Sequence, residues 1–282
     1  MYFNGSINSK LFFQKKSVRK YYNVNEVSKY EREKNFYLFA NPNCNTIPKM
    51  FGFDDKERYI EIERILGLDC IEMSEYYQRS MISFLNDLNK NWKKENLPIA
   101  AEAILRPNDL KKHMKKRYLY LQAHCQEEFF KSNSKKIFKF IDENVPLINQ
   151  EKTIISPSDV GLHNSMSSEN RIYFIDFEYA GRDGYTKLIY DFILHPANRI
   201  KHDDYEKVFR LMQNELTDCK IEYEGKIMRA FKMWWILRLL QGLCSYQIES
   251  RINNGLLDGT LLEQYKEDRR TKINLFWENL DR

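Results

Sequence analysis

At 282 residues the chain is long enough for one large domain or two small ones, and 43% apolar against 30% charged residues excludes a largely disordered protein. A formal charge of +5, from 45 basic and 40 acidic residues, is too mild to call for a nucleic-acid partner. Five cysteines, at 44, 70, 125, 219 and 244, form no Cys-x-x-Cys pair and have no paired histidines nearby, which points to reduced thiols in a cytoplasmic protein and away from a zinc site.

The opening Met1-Tyr2-Phe3-Asn4-Gly5 has no charged and apolar leader, so nothing in it marks secretion. Short strands are expected at 10–13 and 17–22, joined by a tight Gln14-Lys15-Lys16 turn. A charged helix follows over 25–40, with Val27, Tyr30, Phe36 and Phe39 facing inward and Asn41-Pro42-Asn43 stopping it. Residues 58–63 alternate like another strand, and Gly67 breaks the pattern.

Long helices are expected from there on. Residues 74–92 place Tyr77, Met81, Leu85 and Leu88 at helical spacing. Two more helices cover 108–125 and 127–144, the second carrying Phe129, Phe130, Ile137, Phe138 and Ile141. The basic run Lys111-Lys112-His113-Met114-Lys115-Lys116-Arg117 reads as a solvated helix face. Helices resume near Tyr185, and the most apolar segment, 233–240, is interrupted by Arg238 and too short to span a bilayer, so it reads as a buried helix. An α+β chain results, with a small sheet-containing lobe over 1–66 and a larger, mostly helical lobe over 67–282, and a cleft between them as the natural active site.

Two strand-like runs interrupt the helices and carry the chemistry. Thr153-Ile154-Ile155 leads into Ser156-Pro157-Ser158-Asp159-Val160-Gly161-Leu162-His163-Asn164, which puts Asp159 on a loop just past a strand. The run 172–177 then closes on Asp176, followed by Phe177 and Glu178. With 16 Asp and 24 Asn in the chain, one Asp-x-x-x-x-Asn is expected about once by chance, so the spacing alone decides nothing. The setting adds weight, because strand ends fix carboxylates that loops alone leave mobile. Ordinary turn residues remain the competing explanation for Asp159 and Asn164.

Together these segments resemble the aminoglycoside phosphotransferase and choline kinase family, a small-molecule branch of the bilobal protein-kinase-like fold. Asp159-Val160-Gly161-Leu162-His163-Asn164 looks like its catalytic loop, and Ile175-Asp176-Phe177-Glu178-Tyr179-Ala180-Gly181 like its metal-binding strand end. The resemblance implies an ATP- and magnesium-dependent phosphotransferase, with Asp159 catalytic and Asn164 and Asp176 on the metal. It implies further that Lys20 meets the nucleotide phosphates, that Glu33 holds Lys20, and that Asp191 braces the catalytic loop. Gly5-Ser6-Ile7-Asn8-Ser9 stands where a phosphate-covering loop belongs, with one glycine and with Ser9 as a contact. Glu63-Arg64-Ile65 stands where the hinge meets adenine.

Relatives mostly carry His-Gly immediately before the catalytic Asp, and Pro157-Ser158 replaces it here. Ser156-Pro157-Ser158-Asp159, with Ala100-Ala101-Glu102-Ala103 ahead of it, is similar to a bacterial subgroup thought to serve cell-surface carbohydrate assembly, so a sugar or sugar-like hydroxyl is the first choice of acceptor. Choline or another amino alcohol would need an aromatic cage, for which Trp234, Trp235 and Tyr246 are candidates, though at helical spacing such residues are usually core. An aminoglycoside would need acids, and Glu215, Asp218, Glu222 and Glu224 cluster, though a solvated loop explains them as well. A nucleotide-binding pseudokinase or a helical interaction protein are the readings from other classes. Oligomeric state is left open.

Overall fold

The computed structural model describes residues 2–3, 9–90, 97–149, 153–216, 221–253 and 257–281. Its strands are β1 (Tyr2–Phe3), β2 (Ser9–Phe13), β3 (Ser17–Tyr22), β4 (Met50–Asp54), β5 (Tyr59–Glu63), β6 (Leu68–Asp69), β7 (Thr153–Ser156), β8 (Ser165–Ser168), β9 (Arg171–Phe174) and β10 (Gly181–Gly184). Its helices are α1 (Val27–Ala40), α2 (Glu75–Asn89), α3 (Asp109–His124), α4 (Glu128–Glu143), α5 (Tyr185–Leu194), α6 (Tyr205–Glu215), α7 (Gly225–Gln241), α8 (Ser245–Asn253) and α9 (Leu262–Glu278). The architecture is α+β, with an N-terminal antiparallel sheet and a helical C-terminal part.

The sheet has the order β1-β2-β3-β5-β4. Both strands of the β2–β3 hairpin fall where alternation places them, and the Gln14 N–H bond to the Ser17 carbonyl (2.8 Å) closes the turn. β3 is flanked on both sides, so Lys20, opposite Leu11 and Ile60, is held on an interior strand. β4 went unexpected because it reverses the usual pattern: Phe51 and Phe53 are exposed, and the register shifts between Met50 and Gly52. The inward face of α1 is Tyr30, Glu33, Phe36, Tyr37 and Ala40, a spacing of three and four that includes a carboxylate. Val27, expected inside, opens the helix and is exposed, and Phe39 is half-buried.

Two compact units divide the chain: Met1–Ala103 with Glu151–Ile221, and Ile104–Gln150 with Glu222–Arg282. The lobe boundary proposed at residue 66 is a different cut and runs inside the first unit. In that unit α2 starts at Ser74, whose side chain accepts the Tyr77 N–H, and buries Tyr77, Met81, Leu85 and Leu88. β6, β8 and β9 form a three-stranded sheet in that pairing order, and β7 pairs antiparallel with β10. β10 reads Gly-Arg-Asp-Gly and has no apolar alternation. Its first residue, Gly181, has φ +156° and would place a Cβ 2.3 Å from the Pro98 carbonyl oxygen, so only glycine passes there. α5 is buried along its whole length, charged Lys187 and Asp191 included.

In the second unit the apolar segment 233–240 is the inner part of α7, with Trp234 fully buried. Arg238 is accommodated by lying 4.5 Å from the Trp235 ring centroid. Phe130, Ile137 and Ile141 of α4 are buried, whereas Phe138 is exposed. Among the described residues no helix is long and apolar enough to cross a membrane.

Candidate active site

Lys20 is the centre of a buried charge cluster in the first unit. Its side chain is 7% exposed, and its Nζ lies 2.6 Å from Glu33 Oε2, 2.5 Å from Asp176 Oδ1 and 3.7 Å from Glu178 Oε2. Glu33 is fixed from three directions: Tyr22 Oη donates to Oε2 beside the lysine, and the Phe177 N–H donates to Oε1 at 3.2 Å. Burial alone would lower the Lys20 ammonium, but the Asp176 and Glu33 carboxylates outweigh it and hold the pKa well above its usual value. Burial is also the main influence on Glu33 and raises it against the pull of Lys20.

Asp176 is set by the turn after β9. That strand ends at Phe174, and Ile175 N–H donates to the Asn164 carbonyl at 3.0 Å. Asp176 then takes φ 64°, a left-handed conformation that a non-glycine residue adopts rarely and that concentrates at functional turns. Phe177 anchors the turn by stacking on Phe36 of α1 at 4.2 Å and meeting Tyr37 edge-on at 5.3 Å. Glu178 follows, buried, its pKa pushed up to about 7 by burial and the Asp176 charge against the pull of Lys20 and Lys29. Lys29 Nζ is 3.8 Å from Glu178 Oε1.

Glu33, Asp176 and Glu178 each bring a carboxylate oxygen within 4.8 Å of the others. Such an all-oxygen donor set suits a hard divalent cation such as magnesium. Asn164, at the end of a 3-10 turn over Leu162–Asn164, is buried, and its Nδ2 donates to the Asp159 carbonyl at 3.3 Å, which directs Oδ1 away from that carbonyl.

Asp159 sits among imidazoles. His195 Nε2 lies 3.1 Å from its Oδ1 and His163 Nε2 3.7 Å from its Oδ2. Burial would raise this carboxyl, but the two histidines outweigh it and hold the pKa well below the ordinary carboxylate range. Ser158 has φ 67°, a left-handed conformation that glycine adopts more readily than serine. Here the strained residue is tied down instead: its N–H donates to Ser156 Oγ (3.0 Å), and Lys187 Nζ donates to its Oγ (3.1 Å). Lys187 is buried between Asp183 (2.9 Å) and Asp191 (3.3 Å), so Asp191 reaches the loop through a lysine. Asn198, fully buried, staples the far side: its Oδ1 accepts the Leu162 N–H (2.9 Å), and its Nδ2 donates to the Val160 (3.2 Å) and Phe192 (2.7 Å) carbonyls.

The remaining expected residues are placed as follows. Ser9 opens β2 opposite Tyr22 with its side chain buried, and Gly5-Ser6-Ile7-Asn8 lie outside the described residues. Glu63 ends β5, and its N–H and that of Arg64 bond the Lys49 (2.7 Å) and Lys16 (3.0 Å) carbonyls. Ile65 follows, half-buried and outside any strand or helix. Trp234 and Trp235 are buried while Tyr246 is 69% exposed, so the three do not line one cage. Glu215 pairs with Arg79 (2.9 Å) and Glu224 with Lys226 (3.0 Å), and Asp218 lies outside the described residues.

Sequence reasoning missed Glu178, Lys187, His195 and Asn198 as parts of this arrangement. Glu178 carried a signal, being two residues beyond Asp176 in the segment that follows an apolar strand. The other three reach the loop from α5 and the segment after it, a proximity that no spacing announces.

With this geometry in place, the fold can be assigned a protein-kinase-like architecture, which it shares with solved structures of small-molecule kinases. A choline/ethanolamine kinase family protein from Mesorhizobium loti matches with a TM-score of 0.65 and 13% identity, over 99% of this chain and 88% of its own. A macrolide 2'-phosphotransferase, MphH, from Brachybacterium faecium matches with a TM-score of 0.61 and 10% identity, over 95% and 91%. APH(2'')-IIa, solved as a ternary complex with streptomycin and ATP, matches with a TM-score of 0.60 and 16% identity, over 86% and 84%. No protein-family model and no curated protein matches the chain.

Proposed function

We propose that this chain is an ATP-dependent phosphotransferase that moves the γ-phosphoryl group onto a hydroxyl of a small molecule, with a sugar or sugar-like acceptor. The observation that carries the reading is the meeting of Lys20, Glu33 and Asp176, which lie 13 and 156 positions apart in sequence, around one buried ammonium. Ion pairs buried this deeply are costly to assemble and weak as a source of stability, so a phosphate-binding role is the better account of this one.

In this reading Asp159 orients the acceptor hydroxyl and takes its proton as the new P–O bond forms and ADP leaves with the electrons of the broken one. Lys20, held by Glu33, offsets phosphate charge. Asp176 and Asn164 hold magnesium, with Glu178 adjoining. Magnesium, when bound, neutralises charge on the phosphate oxygens. Ser9 and the backbone of Glu63 and Ile65 contribute to the nucleotide pocket. The acceptor rests on the Ser156-Pro157-Ser158-Asp159 resemblance, and the burial of Trp234 and Trp235 weighs against a cage for choline.

Thermal unfolding with ATP tests the assignment. Saturating ATP with magnesium should raise the Tm of the wild type, ligand at 100 times Kd contributing about 2.7 kcal/mol. Asp176→Ala should lose the magnesium-dependent part of the shift. Equal magnesium-dependent ATP affinity in the variant and the wild type would sink the metal assignment.

A further inference from the structure

Asp159 has a second feature that the phosphotransfer reading does not use, the histidine that follows α5. The His195 side chain is 10% exposed, and its two ring nitrogens face different partners. The Ala197 N–H donates to Nδ1 at 3.1 Å, so Nδ1 must carry a lone pair and the ring proton of the neutral imidazole resides on Nε2. Nε2 in turn is 3.1 Å from Asp159 Oδ1, a buried oxygen to which no aligned hydrogen bond is made among the described residues, so the imidazole is the polar group at hand to hold it.

A gap in the loop makes room for this approach. Gly161 has φ −80°, which any residue adopts, so its lack of a side chain serves space and not conformation. A Cβ there would lie 2.5 Å from ring atoms of both His163 and His195. The two rings stack, with centroids 5.3 Å apart. Asp159, His163 and His195 are close enough to hold a metal ion. His195 as a metal ligand through Nε2 would carry its proton on Nδ1, facing the Ala197 N–H, and the observed bond forbids that.

We propose that His195 is a positioning residue for the catalytic aspartate: its Nε2–H faces Asp159 Oδ1, and so turns Oδ2, on the His163 side, to the acceptor hydroxyl. The inference rests on the phosphotransferase reading above. In the transfer step the acceptor proton passes to Asp159 Oδ2, the acceptor oxygen bonds to the γ-phosphorus, and the bond from that phosphorus to the bridging oxygen breaks with its electron pair leaving on ADP. His195 keeps its own proton throughout. A carboxylate left free to rotate would offer its oxygens in more than one orientation, and misplacement of a reacting group by about 1 Å lowers turnover by as much as 10²-fold.

Two isosteric replacements separate positioning from mere loop support. A glutamine amide can place N–H where Nε2 stands, and an asparagine can place its oxygen where Nδ1 stands. His195→Gln should therefore restore most of the kcat, whereas His195→Asn, which keeps the Ala197 contact, should fall with His195→Ala by about 10-fold or more, with KM for ATP unchanged in all three. The rate is read as labelled phosphate passing from ATP to a panel hydroxyl compound or to water. Wild-type kcat in His195→Asn, or a fall of His195→Gln to the level of His195→Ala, overturns the proposal. A second readout needs no turnover: long-range proton–nitrogen spectra of the full chain should show His195 protonated on Nε2, with that signal moving in Asp159→Asn. Protonation on Nδ1 overturns the proposal. A wild type that transfers no phosphate while showing the Nε2 tautomer would fail the phosphotransferase reading alone.

Discussion

The two carboxylate clusters of the first unit are built in opposite senses. At Asp159 a single carboxylate faces two imidazoles and is held well below its usual pKa, so it stays ionised and oriented. Around Lys20 three carboxylates crowd one buried ammonium, and Glu178 is driven up to about 7 first by burial and then by the Asp176 charge, against the pull of Lys20 and Lys29. One corner is electrically complete and needs only a hydroxyl. The other has an excess of negative charge that a divalent cation would relieve. The peptide link is short, since Asn164 contacts the Asp159 carbonyl through its amide and the Ile175 N–H through its own carbonyl.

Separating the two corners by mutation gives the largest effect. Asp159→Asn keeps the shape and removes the base, and should lower kcat by about 10²-fold or more with ATP affinity unchanged. Phe177→Ala acts on the Lys20 corner through packing, because the ring that stacks on Phe36 is 1% exposed. It should cost about 3–5 kcal/mol of stability in urea unfolding and loosen the turn after β9 that sets Asp176. A loss under about 1 kcal/mol would mean that the turn is held by something else.

The pH dependence of Glu178 comes next in size. Its folded pKa of about 7 lies above the ordinary value of 4.5, so between those values the folded chain binds more protons than the unfolded one. Its contribution to stability is therefore fully present below pH 4.5 and is lost as pH rises through 7. Glu178→Gln should remove that loss, with its denaturation midpoint gaining on the wild type from pH 5 to pH 8 in the absence of divalent cation. Parallel profiles would contradict the cause given for the shift.

The smallest effect concerns Ser158. Ser158→Ala and Ser158→Gly both remove the hydroxyl that Lys187 bonds, but only glycine relieves φ 67°. The glycine variant should be the more stable of the two by about 1 kcal/mol. Equal unfolding midpoints would show that the backbone there is not strained.

These contrasts also mark what could be read from sequence. Lys20 and Glu33 were singled out by the resemblance, and the alternation of β3 and the repeat of α1 place both side chains on the inward face, although Glu33 was not among the inward positions expected of that helix. Asp159, Asn164 and Asp176 were legible as strand-end and loop residues. Asp176 sits beyond the end of β9 in a left-handed turn, not on the strand itself as its apolar approach suggested. β10 was hidden because glycines form it by pairing with β7, a partner and not a propensity. Lys187, His195 and Asn198 were hidden because their roles come from α5 being buried all round, which brings charged and amide groups under a loop about 30 positions earlier in the chain.

Transfer of labelled γ-phosphate from ATP, with magnesium, to a panel of sugars, amino alcohols and aminoglycosides tests the central claim most directly. The account predicts that the wild type labels a hydroxyl compound, with sugars first, and that Asp159→Asn does so at least about 10²-fold more slowly while binding ATP equally well. Labelling at the same rate by both proteins, or no labelling by a wild type that binds magnesium and ATP, would contradict it.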